Sequence, residues 1–173
     1  MNKKETVLAF LIIALGVLSR FLPHVPNFVP VTAIAIFGGR YFSKYYAWVI
    51  PFAIMSISDI FLGFSDVTLY VYAGLALAIF GGTILKKHYG IGNLVAVTFA
   101  SSVGFFLVSN FGVWMAGWYG RTLPGLIKCY EMAIPFFRNS LAGDLFYVTV
   151  MFGAYEIVRN RLFSKWFTTQ QHI

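Results

Sequence analysis

Residues 93–118, NLVAVTFASSVGFFLVSNFGVWMAGW, run for 26 positions without one Asp, Glu, Lys or Arg. As a helix rising 1.5 Å per residue this stretch reaches about 39 Å, and about 20 apolar residues already cross the ~30 Å hydrocarbon core of a bilayer. Lipid is therefore its solvent. Working outward on the same ruler, apolar segments lie at 6–22, 29–42, 45–63 and 69–85 before it. One more follows, starting at Arg138 or Leu141 and ending at Val158. The expectation is an all-α, polytopic membrane protein, with residues 1–173 forming a single domain of six transmembrane helices. The second segment is the short one, flanked by prolines.

Composition agrees. Hydrophobic residues make up 59% of the chain and charged residues 11%, where a soluble domain has about half and about a quarter. Lys3 and Lys4 ahead of the apolar run 7–18 resemble a secretory leader. The run is long for one, however, and no A-x-A-like cleavage site follows, so a retained first helix is expected. The net charge of +7 does not read as a nucleic-acid surface, because the basic residues fall in small clusters between apolar runs.

Those clusters encode topology. With the amino terminus inside, the inner side carries Lys3, Lys4, Arg40, Lys44, Lys86, Lys87, Arg159, Arg161 and Lys165, against Arg20, Arg121, Lys128 and Arg138 outside. An excess of cytoplasmic Lys and Arg is the topology signal. It predicts a cytoplasmic (inner) membrane protein with both termini in the cytoplasm.

The phrase AIFGG occurs at 35–39 and again at 78–82. Both copies run from outside to inside, so they give no support for an inverted repeat. Small residues that let helices approach closely are the simpler reading. Aromatics near span ends (Phe21, Tyr41, Phe42, Tyr45, Tyr46, Trp48, Trp118, Tyr119, Trp166) read mostly as interface belt. Phe105, Phe106, Phe136 and Phe137 read as core packing ahead of cavity lining.

Polar side chains at membrane depth are costly and therefore informative; an Asp at a helix centre costs about 2.5 to 3.5 kcal/mol on the insertion scale. They gather in four places: Arg20 with His24 and Asn27, Ser56-Ile57-Ser58-Asp59, Ser101 to Asn110 with Trp114 one turn on, and Arg138-Asn139-Ser140 leading to Asp144. All fall in the predicted outer half, beside an outer loop expected at 119–133. One reading is a satisfied network with Arg20 or Arg138 paired to Asp59 or Asp144. For the set together, a ligand cavity is the stronger reading.

Cys129 is the only cysteine, which excludes an intrachain disulfide. It reads as a small buried hydrophobe, with a metal-ligand or redox role as the alternative. His24, His88 and His172 are too scattered for a metal site. Gly-rich phosphate loops, Ser-His-Asp sets and HExxH are absent. The pair Gly143-Asp144 together with Asp59 superficially suggests a two-aspartate intramembrane protease, but no second motif accompanies it. No enzyme activity and no cofactor are expected.

The stretches RFLPHVPNFVPVTAIAIFGG at 20–39, SDIFLG at 58–63, SNFGVW at 109–114 and CYEMAIPFFRNSLAGD at 129–144 resemble a family of uncharacterised bacterial membrane proteins. That family is in turn similar to the S components of energy-coupling factor (ECF) transporters. The resemblance implies an S-component-like bundle of six helices that binds a vitamin-like solute beneath the outer loops. It also implies uptake through a T component and two ATPases. Solitary cobalamin-transporting S components are the nearest functional analogy, and through them Cys129 becomes a candidate cobalt ligand. The chain departs from the pattern twice. The first span has Ala9, Ala14, Gly16 and Ser19 in place of an alanine-x-x-x-alanine docking signature. Cys129 also follows the fifth span, whereas the cobalt-ligating cysteine of the cobalamin group precedes the fourth.

The expected solute site comprises Arg20, Asn27, Asp59, Asn110, Trp114, Trp118, Tyr119, Cys129, Arg138, Asn139 and Asp144. The partners are the lipid bilayer, a small-molecule solute and an ECF T component with its ATPases, and not nucleic acid. The competing expectation is a non-transporting membrane subunit that scaffolds a larger complex through lipid-exposed AIFGG stripes.

Overall fold

The computed structural model describes residues 3–169, and side chains over 6–159. The side chains of Lys3, Lys4, Arg161, Lys165 and Trp166, and all of His172, lie outside the described residues. Six helices follow in order: α1 (Lys3–Phe21), α2 (Val31–Tyr41), α3 (Lys44–Leu62), α4 (Thr68–Ile84), α5 (Ile91–Met115) and α6 (Leu123–Thr169). Among the described residues the chain is helical, without strands.

Three stretches are long and apolar enough to cross a membrane: Lys44–Leu62, Ile91–Met115 and Leu123–Arg159. Thr6–Phe21 and Thr68–Ile84 are shorter apolar helices. The surface is that of a membrane protein, since α1 turns Val7, Phe10, Leu11, Leu15 and Leu18 outward, an apolar face that water would not tolerate.

α2 differs from the other five. Its 11 residues extend only about 16 Å, short of the 29–42 span expected, because Pro30 precedes it and Phe42 closes it with an N–H bond to the Gly38 carbonyl at 3.0 Å. Every residue from Val31 to Gly39 is buried, with α3, α4 and α6 packed around it. It is a central strut, not a lipid-facing rod.

The two AIFGG copies meet each other where α2 crosses α4. A Cβ on Gly39 would lie 2.9 Å from Gly82 Cα, and one on Gly82 would lie 3.0 Å from Gly39 Cα and 2.9 Å from the Ile36 carbonyl carbon. Only glycine permits backbones this close. The glycines at this crossing therefore face inward, and of the second copy Phe80 is the residue that stays exposed.

The same end of the bundle holds an aromatic cluster. Phe37 meets Phe152 edge-on at 5.3 Å, and Tyr41 lies 4.0 Å from Tyr155. Phe42 and Tyr46, expected at the interface, are buried core. Phe21, Tyr45, Trp48, Trp118 and Tyr119 are exposed as a belt requires.

The expected loop 119–133 is mostly helix. α6 begins at Leu123 because Thr122 accepts the Gly125 N–H at 3.2 Å and its carbonyl accepts the Leu126 N–H at 2.9 Å. This is an N-cap with proline tolerated in the first turn. The true loop is the short reversal between α5 and α6, where Gly117 and Gly120 take φ of 87° and 77°.

Candidate functional site

Opposite the aromatic cluster, the end of α1, the starts of α2 and α4, the late part of α3 and facing halves of α5 and α6 enclose a cavity of about 490 Å³. Its walls follow from helical spacing. On α5 the lining positions are Ser102, Phe105, Phe106, Ser109, Asn110 and Val113; on α6 they are Cys129, Met132, Ala133, Phe136, Phe137, Ser140 and Asp144. Steps of three and four keep each set on one face of its helix. Val29, Val31 and Thr32 of the α1–α2 connection and α2, and Val67, Val71 and Leu75 of α4, complete an apolar floor and side.

Two buried acidic residues sit at this end in different states. Arg20 Nη1 donates to Asp59 Oδ1 at 2.6 Å, to the Met55 carbonyl at 3.4 Å, and to the Ser58 hydroxyl. Tyr72 donates to Asp59 Oδ2 at 3.2 Å. Asp59 is buried and Arg20 half-buried, and the pair is satisfied, tying α1 to α3 and α4. Arg20 lines the cavity; Asp59 stands behind it and does not.

Asp144 is only 4% exposed. Ser102 donates to its Oδ2 at 2.6 Å, with the Thr98 carbonyl 3.0 Å from the same hydroxyl. Among the described residues no cation pairs with it. The expected partner Arg138 is exposed, away from the cavity. On α6 a separation of six residues leaves the two side chains about 120° apart around the helix, on different faces.

Of the residues expected at the site, Arg20, Asn27, Asn110, Trp118, Tyr119, Cys129 and Asp144 line the cavity. Asp59, Trp114, Arg138 and Asn139 do not. Trp114 instead donates from Nε1 to the Thr122 carbonyl at 3.1 Å, holding the reversal that precedes α6. Asn27 has φ of 62°, a left-handed conformation asparagine tolerates better than most residues, and its carbonyl accepts from Ser140 at 3.5 Å.

Cys129 is 1% exposed, and its thiol donates to the Asn110 carbonyl at 3.4 Å. It behaves as a small hydrophobe between α5 and α6. Among the described residues, no three His, Cys, Asp or Glu side chains gather into a metal-binding group.

Phe105, Phe106, Phe136 and Phe137, read from sequence as core, line the cavity, with Phe106 and Phe137 4.7 Å apart across the α5–α6 seam. Thr32, Ser102, Ser109 and Ser140 belong to the wall as well. The signal for them was the shared face of 102, 106, 109 and 113 on one helix and of 129, 133, 136, 140 and 144 on the next. Spacing alone does not say that the two faces meet across empty space.

No curated protein and no solved structure matches the chain. The sequence pattern of one family matches residues 1–168, nearly its whole length, and that family is described as a family of unknown function, DUF6580. The chain therefore belongs to the DUF6580 family.

Proposed function

We propose that this protein binds a small organic solute within the membrane and takes it up from the outer face, in the manner of an ECF S component. All six helices sit in the inner membrane, α2 as a buried half-span, and both termini are cytoplasmic. The observation that carries the reading is the 490 Å³ cavity. Ligand pockets are typically about 300–1,000 Å³, mostly apolar, with a few convergent polar groups, and Asn27, Ser109, Asn110 and Asp144 supply such groups among aromatic walls. Further support comes from charge. Arg40, Lys44, Lys86 and Lys87 lie at the other end of the bundle, which the positive-inside rule assigns to the cytoplasm.

The volume suits a vitamin of drug-like size; a corrinoid would project from the mouth. The burial of Cys129 also disfavours cobalt ligation. Energy for uptake would come from a T component and its ATPases. The scaffold alternative rested on lipid-exposed AIFGG stripes, most of whose residues are buried, so the cavity reading is the better supported of the two.

Mass spectrometry of small molecules retained by the purified protein tests this reading, with Ser109→Trp filling the cavity as control. A vitamin-sized compound held by the wild type and lost from Ser109→Trp is the expected result. If nothing is retained, and no member of a vitamin panel raises the melting temperature, the reading fails.

A further inference from the structure

We infer that the solute carries a positively charged nitrogen and that Asp144 is its counter-charge, an inference that rests on the solute-binding reading above. Two acids, Asp59 and Asp144, are buried at this end of the bundle, and Arg20 is the base that reaches one of them. Arg20 is spoken for by Asp59 at 2.6 Å, so the charge left without a partner among the described residues is the carboxylate of Asp144. It is 96% buried, taking its 4% exposure from the whole, and it lines the cavity. Ser102 and Thr32 give this carboxylate hydrogen bonds, but its charge in a low-dielectric wall has no counter-ion, and a cation is what compensates a buried charge most strongly.

The surrounding side chains favour the same ligand. Phe106, Phe137 and Trp118 line the cavity with Asp144, and aromatic faces attract organic cations through the ring quadrupole. An anionic solute would have to compete with Asp59 for Arg20 and would meet Asp144 across the same space. A neutral solute would leave Asp144 with hydrogen bonds alone and its charge uncompensated unless its carboxyl is protonated. The class implied is a protonated amine or a heteroaromatic or quaternary ammonium on a flat apolar body.

Three probes of one shape separate the possibilities: 2-phenylethylammonium, 2-phenylethanol and 3-phenylpropanoate, titrated into the full chain in a nonionic detergent by calorimetry and tryptophan fluorescence. The expected result is at least tenfold tighter binding of the ammonium than of the alcohol, with the propanoate weakest. In Asp144→Asn the preference for the ammonium should fall below twofold while the alcohol binds as before. The wild-type comparison decides the question even if that variant does not fold. Equal binding of ammonium and alcohol, or tighter binding of the propanoate, overturns the charge assignment and leaves the solute-binding reading standing. Binding of none of the three, with no compound retained on purification, removes both.

Discussion

The two ends of the bundle are built on opposite rules. Where α2 crosses α4, backbones approach so closely that Gly39 and Gly82 leave no room for a Cβ. The neighbouring rings of Phe37, Tyr41, Phe152 and Tyr155 fill the remaining space. Even the charged groups there are folded into the packing, with Arg40 stacked 4.9 Å over the Tyr89 ring and Tyr41 donating to Glu156 at 2.9 Å. At the other end the same helices diverge, large aromatics line a void, and a carboxylate sits in the wall without a cation. Within lipid there is no hydrophobic force between helices, so association depends on close packing and hydrogen bonds. The difference teaches a division of labour, in which the glycine crossing holds the fold together and frees the opposite end to stay open.

The most damaging way to probe that division is Gly82→Leu. Its side chain would have to displace the Ile36 and Gly39 backbones, costing about 3 kcal/mol or more. The expected outcome is loss of monodisperse protein on size-exclusion chromatography, whereas Gly153→Leu, with open space around its Cβ, should purify normally. Survival of Gly82→Leu at wild-type melting temperature would break the comparison.

Truncating one phenylalanine at each end gives a graded version. Phe152→Ala, at a position 2% exposed, should lose about 4 kcal/mol. Phe136→Ala, on the cavity wall and 48% exposed, should lose about 1 kcal/mol. Chemical unfolding of the two variants side by side reads the ratio, and equal losses would mean that the open end is packed as tightly as the closed one.

The ion pair is the exception to the openness of its end. Asp59→Ala leaves the half-buried Arg20 beside Ser58 and Met55 without its counter-charge, a change expected to cost about 2 kcal/mol. Arg20→Leu combined with Asp59→Leu should recover most of that stability in the same assay, because an apolar pair of similar volume carries no uncompensated charge. If the double variant is no better than the single, the pair contributes more than mutual neutralisation.

The smallest effect concerns rates. Cys129, wedged against Asn110, should react with a charged maleimide many times more slowly in the folded protein than after denaturation. Folded-state labelling as fast as unfolded would mean that the thiol faces open space and would return it to consideration as a ligand.

Much of this architecture was legible from the chain. The apolar runs located all six helices, within two or three residues for α3, α4 and the start of α5, because lipid demands unbroken apolar length. Depth-inappropriate polar residues marked the end of the bundle that holds the cavity, since Arg20, Asn27, Asn110 and Asp144 all line it. Other assignments were not legible. Residues 123–133 read as loop because their lysine and glutamate interrupt the apolar run, although Thr122 and Pro124 form a helix start. Pairing of Asp59 with Arg20, and not Asp144 with Arg138, depends on which way each helix is rotated.

Apolar length, charge clusters and the one-dimensional positions of polar residues were thus sufficient to determine a helical membrane protein and the end of it that carries polar chemistry. Each is a property of a segment against its solvent. Tertiary structure alone decided that the two AIFGG phrases touch, that α2 is a buried strut, that four phenylalanines border a cavity, and that one of two buried acids has no cation paired with it among the described residues. These are properties of pairs of segments, and they follow from helix rotation and backbone separation, which no single stretch of sequence encodes.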